Sequence, residues 1–555
     1  MQKIKSSIFL VVVILISFIC ITPLIHEGFF PVHDNTQVAR VFQMYQSLSD
    51  GQFPVRWVSD LGYGYGYPIF TFYAPLAYYV GALGMMVGIT ALVATKVMIG
   101  IGFVLAGVSM YFLAREFWGK KGGLIAGVLY VLAPYHGVNV YVRGAISEMW
   151  AYAFIPLAFY GIWKFSQTWS RSSFVLGSIG VAGIVLSHNL TAMMLLPFLF
   201  LLGCSLIVTH RKKGIKALAP LGIVVTGLFL SAFYWLPAIA ELGLTNVASQ
   251  VGGGSMYKDH FVCLSQLISS PAGFGGSATG CVDGISLQLG KLHILLLVIS
   301  LGITFMLGRR KNLLIPLISA QALAVIGIFL MLEASKPIWD LLSPMEYFQF
   351  PWRFQTLFLL GSSFAAGSIF ELKLKAVKGS VLISSIGLIG ISIGSIILYQ
   401  KFFIPQSYKS DAIKQGESQY VREVTSRISD EYMPKDFTRP RKGSFVLTSF
   451  PQASGLTVTN VSESSRQKKA EITTSGKVEY TTNIAYFPAW SGKIDNVPVK
   501  TYSREGMVAL VLPKGASTVQ IDYQSTPIEL IGNGVSIGGI CILAVAIIAM
   551  KKRKK

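Results

Sequence analysis

The sequence predicts a polytopic α-helical membrane protein that carries a β-rich domain outside the membrane near its C-terminus. Of its 555 residues, 52% are hydrophobic and only 13% are charged. The apolar residues occur in runs of roughly twenty, the length that a helix needs to cross a hydrocarbon core of ~30 Å. A long polar stretch near the C-terminus has alternating apolar and polar residues instead, which is typical of β-strands.

The positive charge of the chain lies in a few short segments. Of the 47 Lys and Arg residues, 22 lie in seven segments that hold only 2 of the 26 acidic residues, and these segments account for +20 of the net charge of +21. The segments are 3–5, 115–121, 164–171, 211–216, 309–311, 371–378 and 551–555. By the positive-inside rule they are cytoplasmic connections. The basic composition therefore reflects membrane topology, and no nucleic-acid partner is expected.

With these segments inside, the apolar runs predict twelve membrane helices and cytoplasmic termini. The predicted helices are 6–25, 94–114, 122–140, 149–164, 173–187, 190–208, 217–236, 291–308, 313–333, 353–370, 379–400 and 528–549. The first is interpreted as a retained helix, because it is long for a signal peptide and lacks a small-residue cleavage site. The apolar segment 69–90 is predicted to lie in the outer interface or to re-enter, since a crossing there would place the later basic loops outside.

Four regions are then predicted to face the outside: 26–93, 237–290, 334–352 and 402–527. The last reads as a small β-sandwich-like domain, since runs such as "KVEYTTNIAYF" and "STVQIDY" are separated by Gly and Pro turns. This divides the chain into a transmembrane domain (1–400), an extracytoplasmic β-rich domain (402–527) and a final helix with a basic tail (528–555). The short cytoplasmic connections leave no room for a nucleotide-binding domain.

Two of the five cysteines share an outer loop, "CLSQLISSPAGFGGSATGC". A disulfide between Cys263 and Cys281 is predicted there, with two free thiols as the alternative. The other three, Cys20, Cys204 and Cys541, lie in apolar helices and have no metal-ligand spacing. No metal site or cofactor is predicted.

The stretch "FFPVHDNTQVARVFQMYQSLSDGQFPVRW", residues 29–57, begins the first outer loop. It places His33, Asp34 and Arg56 beside an amphipathic helix whose apolar face, starting at Val38 and Val41, is expected to rest on the membrane. Asp34 stands at the start of this helix. It is either a helix N-cap, a position that favours Asp, or a carboxylate with a chemical role.

Three other polar clusters are predicted on the same side of the membrane. They are Arg143 with Glu148, His188 with Asn189, and Glu346, Gln349, Trp352 and Arg353. Each has an ordinary structural explanation: an ion pair or cap, turn polarity, or an aromatic belt with a snorkelling Arg. Together they place acids, cations and aromatic residues at one membrane depth, where ionisable groups are candidates for function.

These features resemble the GT-C superfamily of membrane glycosyltransferases, which use lipid-phosphate sugar donors. The shared pattern is an acid on a juxtamembrane helix of the first outer loop, an apolar segment rich in Pro and Tyr ("YPIFTFYAPLAYY"), a basic turn ("AREFWGKKGG") and a further acid. Within that superfamily "DGQFPVRWVSDLGYGYGYPIF", "VRGAISEMWAYAFIPL", "QFPWRF" and "YFPAWSGKIDNVPV" resemble bacterial YfhO-like proteins and membrane proteins related to 6-pyruvoyl-tetrahydropterin synthase. The seven histidines are scattered, unlike the His-rich metal site that a pterin synthase needs.

The resemblance implies inverting sugar transfer on the outer face of a bacterial plasma membrane. Asp34 matches the first-loop acid and would take the proton of the acceptor hydroxyl. Glu148 matches the second acid and would orient the acceptor, or hold a metal as in those relatives that use one. The cations for the phosphate of a polyprenyl-phosphate donor would be Arg56, Arg143 and Arg353. His33, His188 and Gln349 complete the expected substrate-binding set. The first-loop motif reads "HDN" rather than DxD, so metal dependence is not expected.

The expected partners are the polyprenyl-phosphate sugar donor, the bilayer, and an acceptor that is a cell-surface polymer, such as a teichoic acid, or a glycolipid. Two other classes remain open. A lipid-linked sugar transporter predicts charges along the helices down to the midplane, whereas the polar clusters lie on one side. A non-catalytic membrane scaffold that displays the β domain would leave Asp34 and Glu148 freely replaceable.

Overall fold

The computed structural model describes residues 2–209, 217–247, 256–308, 310–372 and 380–552. The predicted basic segment 211–216, and parts of those at 309–311, 371–378 and 551–555, lie outside the described residues. The helices of the N-terminal half are α1 (Gln2–Ile25), α2 (Gln37–Ser49), α3 (Ile69–Phe72), α4 (Leu76–Met86), α5 (Ala91–Leu132), α6 (Pro134–Val138), α7 (Ile146–Thr168), α8 (Arg171–Ser187), α9 (Asn189–Thr209), α10 (Ala219–Leu230) and α11 (Ala232–Ala240).

The remaining helices follow the second outer loop. They are α12 (Leu264–Ile268), α13 (Lys291–Leu307), α14 (Lys311–Met331), α15 (Lys336–Leu341), α16 (Gln355–Ala366), α17 (Ser380–Tyr399), α18 (Ser418–Glu423) and α19 (Pro527–Lys552). A π-helical turn, Asn139–Arg143, joins α6 to the loop before α7. Each of the twelve predicted membrane segments coincides with helix in the described part of the chain.

By length and composition, the described residues contain six helical stretches able to cross a membrane, or seven if the pair α10 and α11, bent by 69°, counts as one span. One of the six is the stretch Ala91–Arg143, which includes α5. Inside α5 the chain breaks at Gly119, where φ is 68° and ψ is −172°, so two predicted spans meet there. The chain is therefore a polytopic helical membrane protein with six to seven candidate spans, and twelve crossings stay a prediction.

Segment 69–90 forms two short helices, α3 and α4. The 11 residues of α4 reach only ~16 Å at 1.5 Å per residue, which is about half of the hydrocarbon core. This helix packs against α2 at Gly81, where an added Cβ would lie 2.6 Å from a methyl of Val41. The segment is therefore too short to span and instead covers α2.

The β-strands of the described residues lie within 456–523, inside the predicted β-rich domain, 402–527, and isolated β-bridges lie outside that range. The strands are β1 (Leu456–Glu463), β2 (Gln467–Thr474), β3 (Val478–Ala485), β4 (Trp490–Ile494), β5 (Val497–Val499), β6 (Tyr502–Arg504), β7 (Met507–Leu512) and β8 (Gly515–Tyr523). They form a five-stranded sheet in the order β1-β2-β8-β4-β5 and a three-stranded sheet in the order β3-β7-β6, both antiparallel. Residues along β2 alternate strictly between exposed and buried, as period-2 patterning predicts.

Residues 402–455, here called the docking segment, contain turns, 3₁₀ helices and α18 rather than strands. They dock on the first outer loop through buried polar contacts. Arg422 contacts Oδ1 of Asp60 through Nε at 2.8 Å and Nη2 at 2.7 Å, and Gln43 of α2 donates to Oδ2 of Asp60 at 2.8 Å. Gln415 donates to the carbonyl of Asn35 at 2.6 Å. The first outer loop and the docking segment thus form one packed unit.

The second outer loop contains a disulfide between Cys263 and Cys281, with Cα atoms 5.6 Å apart. The bridge closes a loop that contains Phe274, whose carbonyl contacts Nε2 of His33 at 3.1 Å. The covalent link therefore restrains a strand of chain that touches the first outer loop.

We expect material prepared without reductant to contain this bridge. Non-reducing peptide mapping should recover the Cys263 and Cys281 peptides as one cross-linked species. Because the bridge closes a loop of 18 residues in sequence separation, reduction should lower the unfolding free energy by about 3 kcal/mol on the chain-entropy estimate. Recovery of both cysteines as free thiols would contradict the prediction.

Candidate active site

A cavity of about 1300 Å³ lies between the helical domain, the first outer loop and the docking segment, and most of the predicted polar residues line it. Its polar wall includes His33, Asp34, Arg40, Arg143, Glu148, His188, Asn189, Gln349, Arg353, Ser429 and Glu431. Its apolar wall comes from α9 to α11, with Leu190, Met193, Leu196, Leu228, Trp235 and Ile239. Ile239 is 71% exposed, so the cavity is open on its apolar side.

Asp34 is held against the start of α7 by the backbone. The N–H groups of His33 and Asp34 donate to the carbonyls of Val142 and Arg143 at 3.0 and 2.9 Å. This close approach depends on Gly144, whose φ is 71° and where an added Cβ would lie 2.7 Å from Val32 and 2.9 Å from the Asp34 carbonyl. Glycine is therefore required on both conformational and steric grounds.

The carboxylate of Asp34 is not a helix N-cap. The N-cap position of α2 is Thr36, which makes no side-chain cap hydrogen bond. The Asp34 carboxylate instead accepts hydrogen bonds from Thr36 Oγ1 at 2.8 Å, Gln37 Nε2 at 3.0 Å and Arg40 Nη1 at 3.1 Å. Its side chain is 31% exposed, so it faces the cavity while three donors fix its orientation.

Arg40 of α2 lines the cavity, although no role was predicted for it from the sequence. Its side chain is 2% exposed, and its guanidinium lies 4.0 Å above the ring of Tyr73. Nη1 also donates to the hydroxyl of Tyr78 at 3.4 Å, and Nη2 donates to Ser429 of the docking segment at 3.2 Å. The sequence signal for a buried polar face of α2 was the helical spacing of four polar residues, all buried in the structure: Gln37, Arg40, Gln43 and Ser47. The helix buries its polar face as well as its apolar one.

Glu148 lies at the start of α7 and is 2% exposed. Its Oε1 accepts hydrogen bonds from Tyr135 at 2.6 Å, Tyr152 at 3.0 Å and Asn139 at 3.3 Å, and its Oε2 pairs with Arg143 at 2.9 Å. Arg143 also stacks over Trp352, with 4.5 Å between the guanidinium carbon and the ring centroid. Glu148 and Arg143 therefore neutralise each other within a saturated network.

Arg353 has a different environment from Arg143. Its Nη1 donates to the carbonyl of Phe348 at 2.8 Å and to Oε1 of Gln349 at 3.3 Å. Its buried Nε has no hydrogen-bond partner, and no carboxylate among the described residues is within ion-pair distance of it. It also stacks near Phe350, at 5.2 Å from the ring centroid. Arg353 is therefore a cavity cation without an anion.

The two predicted histidines differ in their exposure. His33 is exposed at the cavity edge and contacts the Phe274 carbonyl. His188 is half-buried in the turn between α8 and α9, where its Nδ1 contacts the hydroxyl of Thr191 at 2.8 Å. The adjacent Asn189 donates to the carbonyl of Phe72 at 3.0 Å, which ties this turn to α3.

Arg56 does not lie in the cavity. Its side chain, 3% exposed, pairs with Glu529 at 3.6 Å and donates to Asn533 at 3.2 Å, both on α19. The sequence prediction counted Arg56 among the candidate cations for the donor phosphate. In the structure the C-terminal helix supplies its anion instead, so Arg56 has a structural place.

Comparison with known proteins identifies the family. Residues 70–402, well over half of the chain, match the family described as the 6-pyruvoyl-tetrahydropterin synthase related domain, a membrane protein. The chain belongs to this family. Among the described residues, no three His, Cys, Asp or Glu side chains form a group that could hold a metal ion.

An uncharacterized protein of Lactococcus lactis subsp. cremoris (strain MG1363) is 27% identical over 254 residues, which are 43% of this chain and 41% of that protein. Two solved structures, both of the oligosaccharyltransferase of Archaeoglobus fulgidus, are similar at a greater distance. The complex with Zn and sulfate gives a TM-score of 0.38 and 16% identity, covering 74% of this chain and 53% of that one. The complex of this enzyme, AglB, with an inhibitory peptide and a dolichol-phosphate gives 0.40 and 13%, covering 76% and 56%.

The two cavity arginines should differ in their effect on stability. Arg143→Met leaves Glu148 buried without its cation, and loss of one partner of a buried pair typically costs about 3–5 kcal/mol. Arg353→Met removes no ion pair, and the lost hydrogen bond from its guanidinium to the Phe348 carbonyl is worth about 1.5–3 kcal/mol. Thermal unfolding in detergent should therefore show a larger loss for the first variant than for the second. Equal losses would contradict this description of the site.

Proposed function

We propose that this protein is a membrane glycosyltransferase. It transfers a sugar from a polyprenyl-phosphate-linked donor to a cell-envelope polymer or glycolipid on the outer face of the plasma membrane. The observation that supports this most strongly is Arg353, which lines the same cavity as Asp34 and has no carboxylate within ion-pair distance among the described residues. A phosphate in the cavity would supply the missing negative charge.

The shape of the cavity suits a donor that lies in the bilayer. Its apolar wall, from Leu190 on α9 to Ile239 on α11, continues from the polar wall and is open at Ile239. An isoprenoid tail can pack along this wall while the phosphate contacts Arg353. A water-soluble nucleotide sugar has no use for such a wall, so the apolar opening favours a lipid-linked donor.

The proposed chemistry is an inverting displacement. Asp34 takes the proton of the acceptor hydroxyl as its oxygen bonds to the anomeric carbon. The bond between that carbon and the phosphate oxygen breaks, and its electron pair leaves with the polyprenyl phosphate, whose charge Arg353 stabilises. Glu148 keeps Arg143 in place at the same end of the cavity. The identities of the acceptor and of the transferred sugar are to be determined from the reaction products.

Mass spectrometry of cell-envelope glycans, with and without the gene, tests the proposal. The gene should be required for one glycan modification. Asp34→Asn should remove it, since an amide cannot act as a base and general-base loss typically costs about 10²–10⁴ in rate. Arg353→Gln should remove it through loss of phosphate binding. Glu27→Gln, the same change at an exposed acid of the same loop outside the cavity, is the matched control and should keep it.

Two outcomes would overturn the assignment. A modification that persists in a well-expressed Asp34→Asn protein would leave Asp34 as a structural anchor of Arg40. Unchanged glycans on loss of the gene, together with an altered distribution of lipid-linked sugars between the membrane leaflets, would identify a transporter. If loss of the gene changes neither the glycans nor the distribution of lipid-linked sugars, the protein is a membrane scaffold.

The proposal also requires twelve crossings with both termini in the cytoplasm and the docking segment outside. Single cysteines at Lys409 and Gln167, in a chain whose Cys20, Cys204 and Cys541 are replaced by Ser, test this arrangement. Lys409 lies in the docking segment and Gln167 in the last turn of α7, within the predicted basic segment 164–171, and both are exposed. A membrane-impermeant maleimide should label position 409 in intact cells and position 167 only after lysis. Labelling of position 167 in intact cells would contradict the topology.

A further inference from the structure

The docking segment contributes a second carboxylate, Glu431, to the cavity that contains Asp34. The hydroxyl of Ser429 lies within hydrogen-bond distance of both of its carboxylate oxygens, at 3.2 and 3.1 Å. No Lys, Arg or His among the described residues is within ion-pair distance of Glu431. Burial raises the pKa of the Glu431 carboxyl, and the charge of Arg40 opposes this rise. The carboxylate thus has lone pairs left for a ligand.

Glu431 is fixed relative to Asp34 by one guanidinium. Arg40 donates to Asp34 through Nη1 at 3.1 Å and to Ser429 through Nη2 at 3.2 Å, and Ser429 in turn contacts Glu431. Arg40 is 2% exposed and packed against Tyr73, so this bridge is rigid. The two carboxylates therefore belong to one preorganised set of acceptors on the polar wall.

The charges of the cavity are divided between two groups. Glu431 and Asp34 are linked through Ser429 and Arg40, so this group contains one cation and two anions. In the other group, Arg143 pairs with Glu148 and lies over the Trp352 ring. Arg353 is 5.9 Å from the centroid of the same ring, so this group contains two cations and one anion. When each ionised side chain counts as one full charge, the group around Glu431 is net negative and the group around Arg353 is net positive. A phosphate fits the positive group, whereas an anion would be repelled by the negative one.

We propose that Glu431 binds the acceptor, and that the acceptor unit in the cavity is an uncharged sugar or polyol with at least two hydroxyl groups. This inference rests on the proposed function. One hydroxyl donates to Glu431 and is not consumed, and a neighbouring hydroxyl faces Asp34 and becomes the nucleophile. Carboxylates are strong acceptors for hydroxyl donors, and a buried one that lacks a cation is well suited to this role.

Glu431 therefore sets specificity as well as position. An acceptor unit that carries a carboxylate or phosphate of its own would lie against Glu431 and Asp34 and would be rejected by like-charge repulsion. The donor phosphate is unaffected because its cation, Arg353, belongs to the other group. The polar wall thereby distinguishes the two substrates by charge.

The test uses the full-length protein in nanodiscs and two kinds of probe. The first is undecaprenyl phosphate, for the donor side. The second is a set of matched methyl glycosides: the glucoside against the glucuronoside and the galactoside against the galacturonoside, which differ by one carboxylate. Binding constants come from ligand-observed NMR for the glycosides and from fluorescence quenching for the lipid. The variants are Glu431→Gln, Glu431→Asp and, as the matched control, Glu417→Gln, an exposed acid of the docking segment outside the cavity.

The wild type should bind an uncharged glycoside at least about tenfold more tightly than its uronic acid partner. Glu431→Gln should bind the uncharged glycoside about tenfold more weakly, the effect expected for a hydrogen bond to a charged group, and should lose the discrimination. Glu431→Asp keeps the charge at a shorter reach, so it should keep the discrimination with weaker binding. Undecaprenyl phosphate should bind all of these variants and the Glu417→Gln control equally well.

Three results would overturn the inference: wild-type protein that binds no uncharged glycoside, equal binding of the glycoside and its uronic acid, or a Glu431→Gln protein that behaves as wild type. Failure of the proposed function has a separate signature: wild-type protein would then not bind undecaprenyl phosphate, or Arg353→Gln, included for this purpose, would bind it as tightly as wild type. Should Glu431→Gln not fold, the Glu431→Asp variant alone decides, since its unchanged affinity for the uncharged glycoside would also reject the role of Glu431.

Discussion

The outer face of this protein is organised around the buried guanidinium of Arg40. A charge that is 2% exposed must be compensated, because an isolated ion in a low-dielectric interior costs several kcal/mol even after relaxation. The compensation comes from Asp34 on one side, the ring of Tyr73 above, and Ser429 on the other side. Asp34 and Tyr73 lie near Arg40 in the chain, before α4, whereas Ser429 follows Arg40 by almost four hundred residues. The burial of Arg40 therefore requires the docking segment to be in place.

This requirement explains why α2 is covered on both faces. Its apolar face packs on α4, while its polar face, which includes Gln43 and Arg40, contacts the docking segment and Asp60. Arg422 holds Asp60 from the same segment. The cavity wall is thus completed by chain from both ends of the sequence. A site assembled in this way can be closed to water on its outer side and still be open at the apolar wall.

The success and failure of sequence-based prediction follow from the same architecture. Helix positions and the grouping of Asp34, Arg143, Glu148 and Arg353 were accessible, because long apolar runs and a side-specific charge pattern locate each cluster at one membrane depth. Glu431 was not accessible, since residues 402–455 have neither a strand nor a helix period to place them. Arg56 was misassigned because its partner, Glu529, is close in space but remote in sequence. The number of crossings depends on short and bent helices, which hydropathy alone counts as full spans.

The contrast between Arg143 and Arg353 shows why burial and charge alone do not identify a binding residue. Both line the cavity, and both interact electrostatically with Glu148. Arg143 has its carboxylate at 2.9 Å, whereas Arg353 donates only to neutral groups and leaves Nε unpaired. Because Arg143 pairs with Glu148, no carboxylate of the described chain is left within ion-pair distance of Arg353. The Arg143–Glu148 ion pair thus determines which of the two neighbouring cations lacks a protein anion.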